Sequence, residues 1–109
     1  MGLTVYLIET KPVRVFDTNI THNLGRMAEE AGLYEYLWRP DEIYPAVVRA
    51  EQLIKPLQTG IAEMKADPAR FKKFDSNNGW GTYDTFVPWL ESYLAACVEN
   101  PDAKVEVCR

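Results

Sequence analysis

The stretch Leu3-Thr4-Val5-Tyr6-Leu7-Ile8-Glu9 decides the fold, because it is rich in the β-branched and aromatic residues that favour strands. Both of its alternating sets of side chains are largely apolar, which predicts a strand with two apolar faces. A break at 10–12 separates it from Val13–Phe16, where the extended pattern resumes, so a hairpin or two consecutive strands open the chain. At the other end, Ala103–Cys108 alternates apolar with polar residues and predicts an amphipathic strand. Because this last strand has only the N-terminal strands to pair with, we expect an α+β fold with a small sheet of about three strands, in an order that stays open.

Apolar residues at helical spacing predict three to four helices that back this sheet, and the first helix follows a run of capping residues. The run is Asp17-Thr18-Asn19, whose side chains are typical of helix N-caps. An apolar stripe extends from Ile20 to Ala31, and Gly32 then stands where a closing glycine is expected.

The remaining helices are predicted along the second half of the chain. The clearest periodicity runs from Val47 to Met64 and predicts a long helix of about 20 residues with a kink at Pro56. Asp67-Pro68 predicts the start of a short helix. The last helix is expected to begin near 82–85 and to bury a stripe that ends at Cys97. All 109 residues are expected to form a single domain.

The charge balance limits the class of partner. The chain holds 12 basic and 16 acidic residues, for a formal net charge of −4, which disfavours a protein that binds nucleic acid by neutralising phosphates. Residues 76–109 hold 2 basic and 5 acidic groups, so this acidic third indicates either one acidic face or an ordinary solvated surface. No apolar run approaches the roughly 20 residues that span a membrane, and no signal peptide is recognised. We therefore expect a cytoplasmic protein without a membrane partner.

The sequence contains few residues suited to metal binding or catalysis. A structural zinc site needs about four Cys or His ligands, whereas the sequence offers 2 Cys and 1 His, so we predict neither a metal nor a cofactor. Cys97 falls on an apolar helical stripe, which is typical of a buried thiol. His22 has no partner at a spacing that indicates a nucleophile and base pair, and no catalytic residue is assigned. A small enzyme centred on His22 is the third hypothesis.

Three segments contain more polar and aromatic groups than folding requires. The candidate ligand-binding residues are Asn19, Thr21, His22 and Asn23 in the first segment, Trp38 and Arg39 in the second, and Asn78, Trp80 and Tyr83 in the third. The first segment opens a helix, where free backbone amides bind anions. The second sets a guanidinium beside an indole, a pair that can hold an anion and stack on a base. In the third, two glycines around a Trp allow a loop that fixes the indole for binding. Helix capping, a core Trp and a tight connection are the structural alternatives.

Several strings of this chain resemble a family of small phage and prophage proteins that are usually labelled hypothetical. The resemblance covers most of the length and rests on Asn19–Gly25, Leu37–Pro40 and Asn78–Tyr83, together with Cys97 and Pro101–Ala103. It implies a setting, namely a phage-encoded protein in the host cytoplasm that counters host defence. Such a protein would sequester a nucleotide signal or occlude a defence protein.

The leading hypothesis is a non-enzymatic protein that binds a small anionic or nucleotide-like ligand. Residues 19–23 and Arg39 would hold the anion, while Trp80 and Tyr83 stack on the ring. The alternative is a protein-interaction module or inhibitor that occludes a host defence protein through its acidic third or its exposed aromatic residues. Whether the three segments converge, and whether the protein is a homodimer, both stay open at this point.

Overall fold

Two strands, five helices and a third strand follow one another along the part of the chain that a computed structural model describes, residues 2–8 and 14–109. The elements are β1 (Gly2–Ile8), β2 (Arg14–Thr21), α1 (Gly25–Glu30), α2 (Tyr34–Trp38), α3 (Glu51–Ala66), α4 (Pro68–Lys72), α5 (Tyr83–Glu99) and β3 (Lys104–Cys108). A short 3-10 helix, His22–Leu24, joins β2 to α1. The predicted break at 10–12 and the predicted strand residue Val13 lie outside the described residues.

The three strands form one antiparallel sheet in the order β2-β1-β3, which confirms the predicted α+β class and the pairing of the last strand with the N-terminal strands. In the centre of the sheet, Val5 lies opposite Thr18 of β2 and Val107 of β3. Leu3, Val5 and Leu7 are fully buried, whereas the alternate side chains of β1 are only half-buried. One face of the sheet therefore carries the core, and the other has a more open, partly polar surface.

The predicted helix cap at Asp17–Asn19 is wrong, because these residues belong to β2. They pair with β1 in register, and Ile20 still belongs to the strand, opposite Leu3. The cap is Thr21, whose hydroxyl accepts a hydrogen bond from the Asn23 amide at 3.2 Å. Residues that cap helices well are also tolerated in a strand when a partner strand offers a full hydrogen-bond ladder, so tertiary pairing moved the helix start by several residues.

The end of α1 follows the prediction. Gly32 has φ +73, a left-handed conformation that glycine adopts without steric cost. The Gly32 amide donates to the Glu29 carbonyl at 3.0 Å, and the Leu33 amide donates to the Ala28 carbonyl at 2.8 Å. These two bonds form a Schellman motif, which satisfies the last carbonyls of the helix and turns the chain towards α2.

The long predicted helix is present but shorter than expected. It begins at Glu51 and has 16 residues, with Pro56 inside it. The expected first turn pairs with β3 instead, since the Ala50 amide donates to Ala103 at 2.8 Å and the Val105 amide donates to Val48 at 2.9 Å. Backbone groups committed to this antiparallel bridge cannot also form helical hydrogen bonds, so the segment before Glu51 is extended rather than helical.

The C-terminal elements agree with the sequence prediction. Thr82 caps α5, and it exchanges side-chain and backbone hydrogen bonds with Thr85 in a capping box. Cys97 is buried on this helix, and burial raises the pKa of its thiol to about 12, so the thiolate needed for nucleophilic chemistry is not formed near neutral pH. In the residues described, no helix combines the length and the apolar character that crossing a bilayer requires.

Tyr93 is the one buried side chain of the described residues whose polar atom lacks a hydrogen-bond partner. Its ring stacks on Phe16 and is tilted against Trp89, and burial of the hydroxyl raises its pKa. A buried hydroxyl without a partner costs about 1–3 kcal/mol.

Tyr93→Phe is therefore expected to stabilise the fold, by about 1–2 kcal/mol, since it removes the unsatisfied oxygen and keeps the ring. Urea unfolding followed by circular dichroism measures the difference. Tyr6→Phe, on the half-buried opposite face of the sheet, is the comparison variant. A loss of stability in Tyr93→Phe would mean that its hydroxyl has a partner, for example a buried water.

Candidate functional site

The best candidate site is an open pocket at the end of the sheet where β1 begins and β2 ends. We call it the Trp80 pocket; its volume is about 790 Å³. Gly2, Thr4, Asn19, Ile20, Thr21, Gly79, Trp80, Gly81 and Thr85 line it. The lining thus joins the two N-terminal strands, the loop before α5 and the first turn of α5. Two of the three predicted segments meet here, the first through Asn19 and Thr21 and the third through Trp80.

Glycines shape the loop that carries Trp80. Gly79 has φ +77 and Gly81 has φ +104, both in the region that favours glycine. A side chain at Gly81 would also lie only 3.1 Å from the Thr21 methyl carbon and 3.2 Å from the Asn23 Cβ. The loop therefore packs directly against the junction of β2 and the following helix, which a larger residue at position 81 would prevent.

Two asparagines fix the backbone of Trp80 within this loop. The Asn78 side-chain oxygen accepts from the Trp80 amide at 2.9 Å and also from the Ser76 hydroxyl. From the other side of the pocket, the Asn23 side-chain amide donates to the Trp80 carbonyl at 2.9 Å. Asn23 and Asn78, both predicted as ligand-binding residues, therefore position Trp80 and do not line the pocket themselves.

Trp80 itself is exposed. Its side chain is 70% accessible although its backbone is held at both its amide and its carbonyl. A large apolar side chain in contact with water is unfavourable, and one held in a defined place is typical of a binding surface. The indole is thus available to stack on a planar ring without a large further loss of loop entropy.

The other two predicted aromatic residues are in the core. Trp38 is 3% accessible and stacks on Tyr34 with ring centroids 5.2 Å apart. Tyr83 is buried, and its hydroxyl donates to the Met64 carbonyl at 3.0 Å. Neither ring has a free face for a ligand. Trp38 is the core Trp that the structural alternative anticipated, and Tyr83, expected to stack on the ligand, is also a core residue.

His22 lies at the start of the 3-10 helix and outside the Trp80 pocket. It is exposed, and its ring contacts the edge of Trp38 with centroids 6.0 Å apart. The residues that line the Trp80 pocket do not include it. Nor do the described residues hold any group of three or more His, Cys, Asp or Glu side chains suited to a metal ion.

Arg39 lines a different cavity of about 610 Å³, together with Tyr44, Pro45 and Glu42. Its guanidinium donates to the Glu42 carboxylate at 3.0 Å. A hydrogen bond with Tyr34, followed by the charge of Glu42, raises the pKa of Arg39 above its ordinary value. The two cavities share no lining residue, so Arg39 and Trp80 do not line one common binding site as predicted.

The Trp80 pocket is therefore an uncharged site. Its side chains offer three threonine hydroxyls, one asparagine amide and one indole, with no charged group among the described lining residues. Sequence reasoning missed Gly2, Thr4 and Thr85, because only the register of β1 with β2 and the approach of α5 place them here. That register depends on long-range strand pairing, which local sequence patterns do not reveal.

Comparison of the chain with protein-family models, with curated proteins and with solved structures gives no match.

Proposed function

We propose that this protein is a non-enzymatic binding module whose Trp80 pocket takes a small, uncharged polar molecule with a planar ring, and that a nucleoside is the best-fitting class. The observation that carries the proposal is Trp80 itself, an indole 70% exposed on a backbone fixed by Asn23 and Asn78. Stacking of a base on such a ring contributes about 1–3 kcal/mol and tolerates different bases.

The polar lining supports a nucleoside over a purely apolar ring. Asn19 presents an amide that can pair with the donor and acceptor edge of a base, and Thr4 and Thr21 present hydroxyls that suit ribose oxygens. The Thr85 hydroxyl already donates to the Thr82 carbonyl in the capping box. The anionic ligand of the sequence hypothesis finds less support. Its proposed counter-charge, Arg39, lies at the other cavity and is paired with Glu42. We therefore expect the phosphate of a nucleotide to add little affinity.

The protein-inhibitor alternative rests on the acidic third or on exposed aromatic residues, and ion pairs weaken the first of these two grounds. Lys65 pairs with Glu91 at 2.5 Å, and Lys72 lies 4.0 Å from Asp84. Lysines of α3 and α4 thus neutralise part of the acidic surface of α5. A phage origin and a role against host defence stay hypotheses that fit the sequestration of a nucleoside-like signal.

Calorimetric titration with the common ribonucleosides and their 5′-monophosphates tests the proposal. A nucleoside should bind, and its monophosphate should bind with a similar affinity. Trp80→Ala should weaken binding by about tenfold to a hundredfold, which corresponds to the stacking contribution. Arg39→Ala is the matched control and should leave the affinity unchanged.

Three results would contradict the proposal. They are the absence of binding by every compound of the panel, binding that Trp80→Ala leaves intact, and binding that requires both the phosphate and Arg39. The last result would restore the anion hypothesis and move the site to the cavity beside Tyr44.

A further inference from the structure

Among the residues that the structure describes, nothing covers the outer edge of β2, and the hydrogen-bond pattern of the sheet shows which residues face it. The Val105 amide bonds to Val48 and so points away from β1. In an antiparallel sheet the backbone groups of successive residues point to opposite sides, and residues paired in register alternate between bonded and non-bonded pairs. Leu7, opposite Val105, therefore directs its backbone towards β2 and bonds to Phe16.

The same alternation gives the direction of the backbone amides and carbonyls in the rest of β2. Phe16, Thr18 and Ile20 use their amides and carbonyls on β1, while those of Asp17 and Asn19 point outward. Within residues 2–8 and 14–109, no backbone or side-chain group forms a hydrogen bond to these outward amides and carbonyls. The other edge of the sheet differs, since Val48–Ala50 covers β3 at Ala103 and Val105.

An open edge of this kind pairs readily with another strand. Natural proteins protect their edges with charged residues such as lysine, with proline or β-bulges, with short strands or with a covering segment. β2 has 8 residues, and Arg14–Thr21 contains neither proline nor lysine. A register shift interrupts the pairing with β1 between Arg14 and Phe16, but the rest of the strand, Phe16–Thr21, pairs without interruption and holds a single charge, Asp17.

We propose that β2 is a homodimer interface, in which the strand pairs antiparallel with β2 of a second copy about a twofold axis at Thr18. In this register Asp17 lies opposite Asn19 of the second copy, so an amide side chain faces each carboxylate. Phe16 lies opposite Ile20 of the second copy on the core face, which continues the apolar side of the sheet from one copy into the next. Both pairs occur twice because an isologous interface is self-complementary.

The charge of the strand selects this register. A twofold axis at Asp17 would set two carboxylates directly opposite each other, which is destabilising. An axis at Asn19 would place Asp17 opposite Thr21 of the second copy, so each carboxylate would face a threonine instead of an amide side chain. The axis at Thr18 avoids both and uses the outward groups of Asp17 and Asn19 fully, with a six-stranded sheet as the result.

Sedimentation equilibrium and amide hydrogen exchange on the unmodified protein test the interface. The mass should approach twice that of one chain as the concentration rises. The Asp17 and Asn19 amides should then exchange more slowly, by about tenfold or more, because they become hydrogen-bonded across the interface. A monomer at every concentration would overturn the proposal, as would a dimer whose Asp17 and Asn19 amides exchange at the monomer rate.

Asp17→Pro provides the matching variant, since it removes one outward amide per copy and no bond to β1. Two hydrogen bonds are lost across the twofold axis, which should raise the dimer dissociation constant by about tenfold to a hundredfold. Asp17→Ala keeps the amide and should remain a dimer. Equal dimerisation of the two variants would contradict the interface, and circular dichroism checks that each is folded. If Asp17→Pro fails to fold, the exchange measurement on the unmodified protein decides. Because Asn19 belongs to both proposals, each is tested at a residue that the other does not use: Trp80→Ala for nucleoside binding and Asp17→Pro for the dimer.

Discussion

Leu33→Ala is expected to destabilise the protein by about 2–5 kcal/mol, the range found when a buried leucine is cut back to its Cβ. Leu33 is 1% accessible and packs against Gly60 of α3. A Cβ on Gly60 would lie only 2.6 Å from the Leu33 Cγ and Cδ1 atoms. Gly60 is thus the hole into which Leu33 fits, and it lets the chain after α1 approach α3 closely.

Gly60→Ala is expected to destabilise as well, by about 1–3 kcal/mol, because the core is overpacked. This outcome opposes the helix propensity of alanine, which alone would stabilise by roughly 1 kcal/mol. The double variant should lose less unfolding free energy than the two single variants lose in sum, since the added methyl group fills part of the space that Leu33→Ala leaves. The coupling should be about 0.5–3 kcal/mol.

Urea unfolding of the four proteins in this cycle measures the coupling. Thr59→Ala, at an exposed neighbouring position of α3, is the control and should change stability by less than about 0.5 kcal/mol. Strict additivity of the two substitutions would mean that Leu33 and Gly60 are not in contact.

Trp38→Ala should cost about 3–5 kcal/mol, whereas Trp80→Ala should stay within about 0.5 kcal/mol of the original stability. Trp38 is 3% accessible, and its carbonyl accepts from the Arg109 guanidinium at 3.1 Å. Trp80 is 70% accessible. One indole therefore supports the core, and the other can be removed without unfolding the protein.

Thermal unfolding of the two variants checks this difference, with Trp80→Phe as a conservative comparison. A stable Trp38→Ala variant would show that the ring is not part of the core. A strongly destabilised Trp80→Ala variant would show that Trp80 is structural, and its exposed indole could then not be assigned to binding.

The parts of the fold that the sequence predicts are those in which a local pattern and its burial agree. The stripe that ends at Cys97 predicts α5, and the alternation in Ala103–Cys108 predicts β3. The errors arise where long-range pairing competes with local preference. Asp17–Asn19 has the composition of a cap but pairs with β1, and Val47–Ala50 has helical spacing but pairs with β3.

The candidate site was predictable only in part, for the same reason. Asn19, Thr21 and Trp80 stand out in the sequence as polar or aromatic groups in turn-forming surroundings, and the fold brings them together. Burial does not follow from residue type, so the sequence indicates Tyr83 and Trp38 as binding residues although both are buried in the core. Thr4 gave no signal because its role depends on its place in the register opposite Asn19.

Resonance mapping of nucleoside binding tests the central claim most directly. In a ¹H–¹⁵N spectrum, a nucleoside such as adenosine should shift the Trp80 indole N–H and the amides of Asn19, Thr21 and Gly81. The signals of Arg39 and Tyr44 should stay in place, and adenosine 5′-monophosphate should produce the same pattern. Shifts confined to Arg39 and Tyr44, or an unchanged spectrum at saturating ligand, would contradict the assignment of the Trp80 pocket.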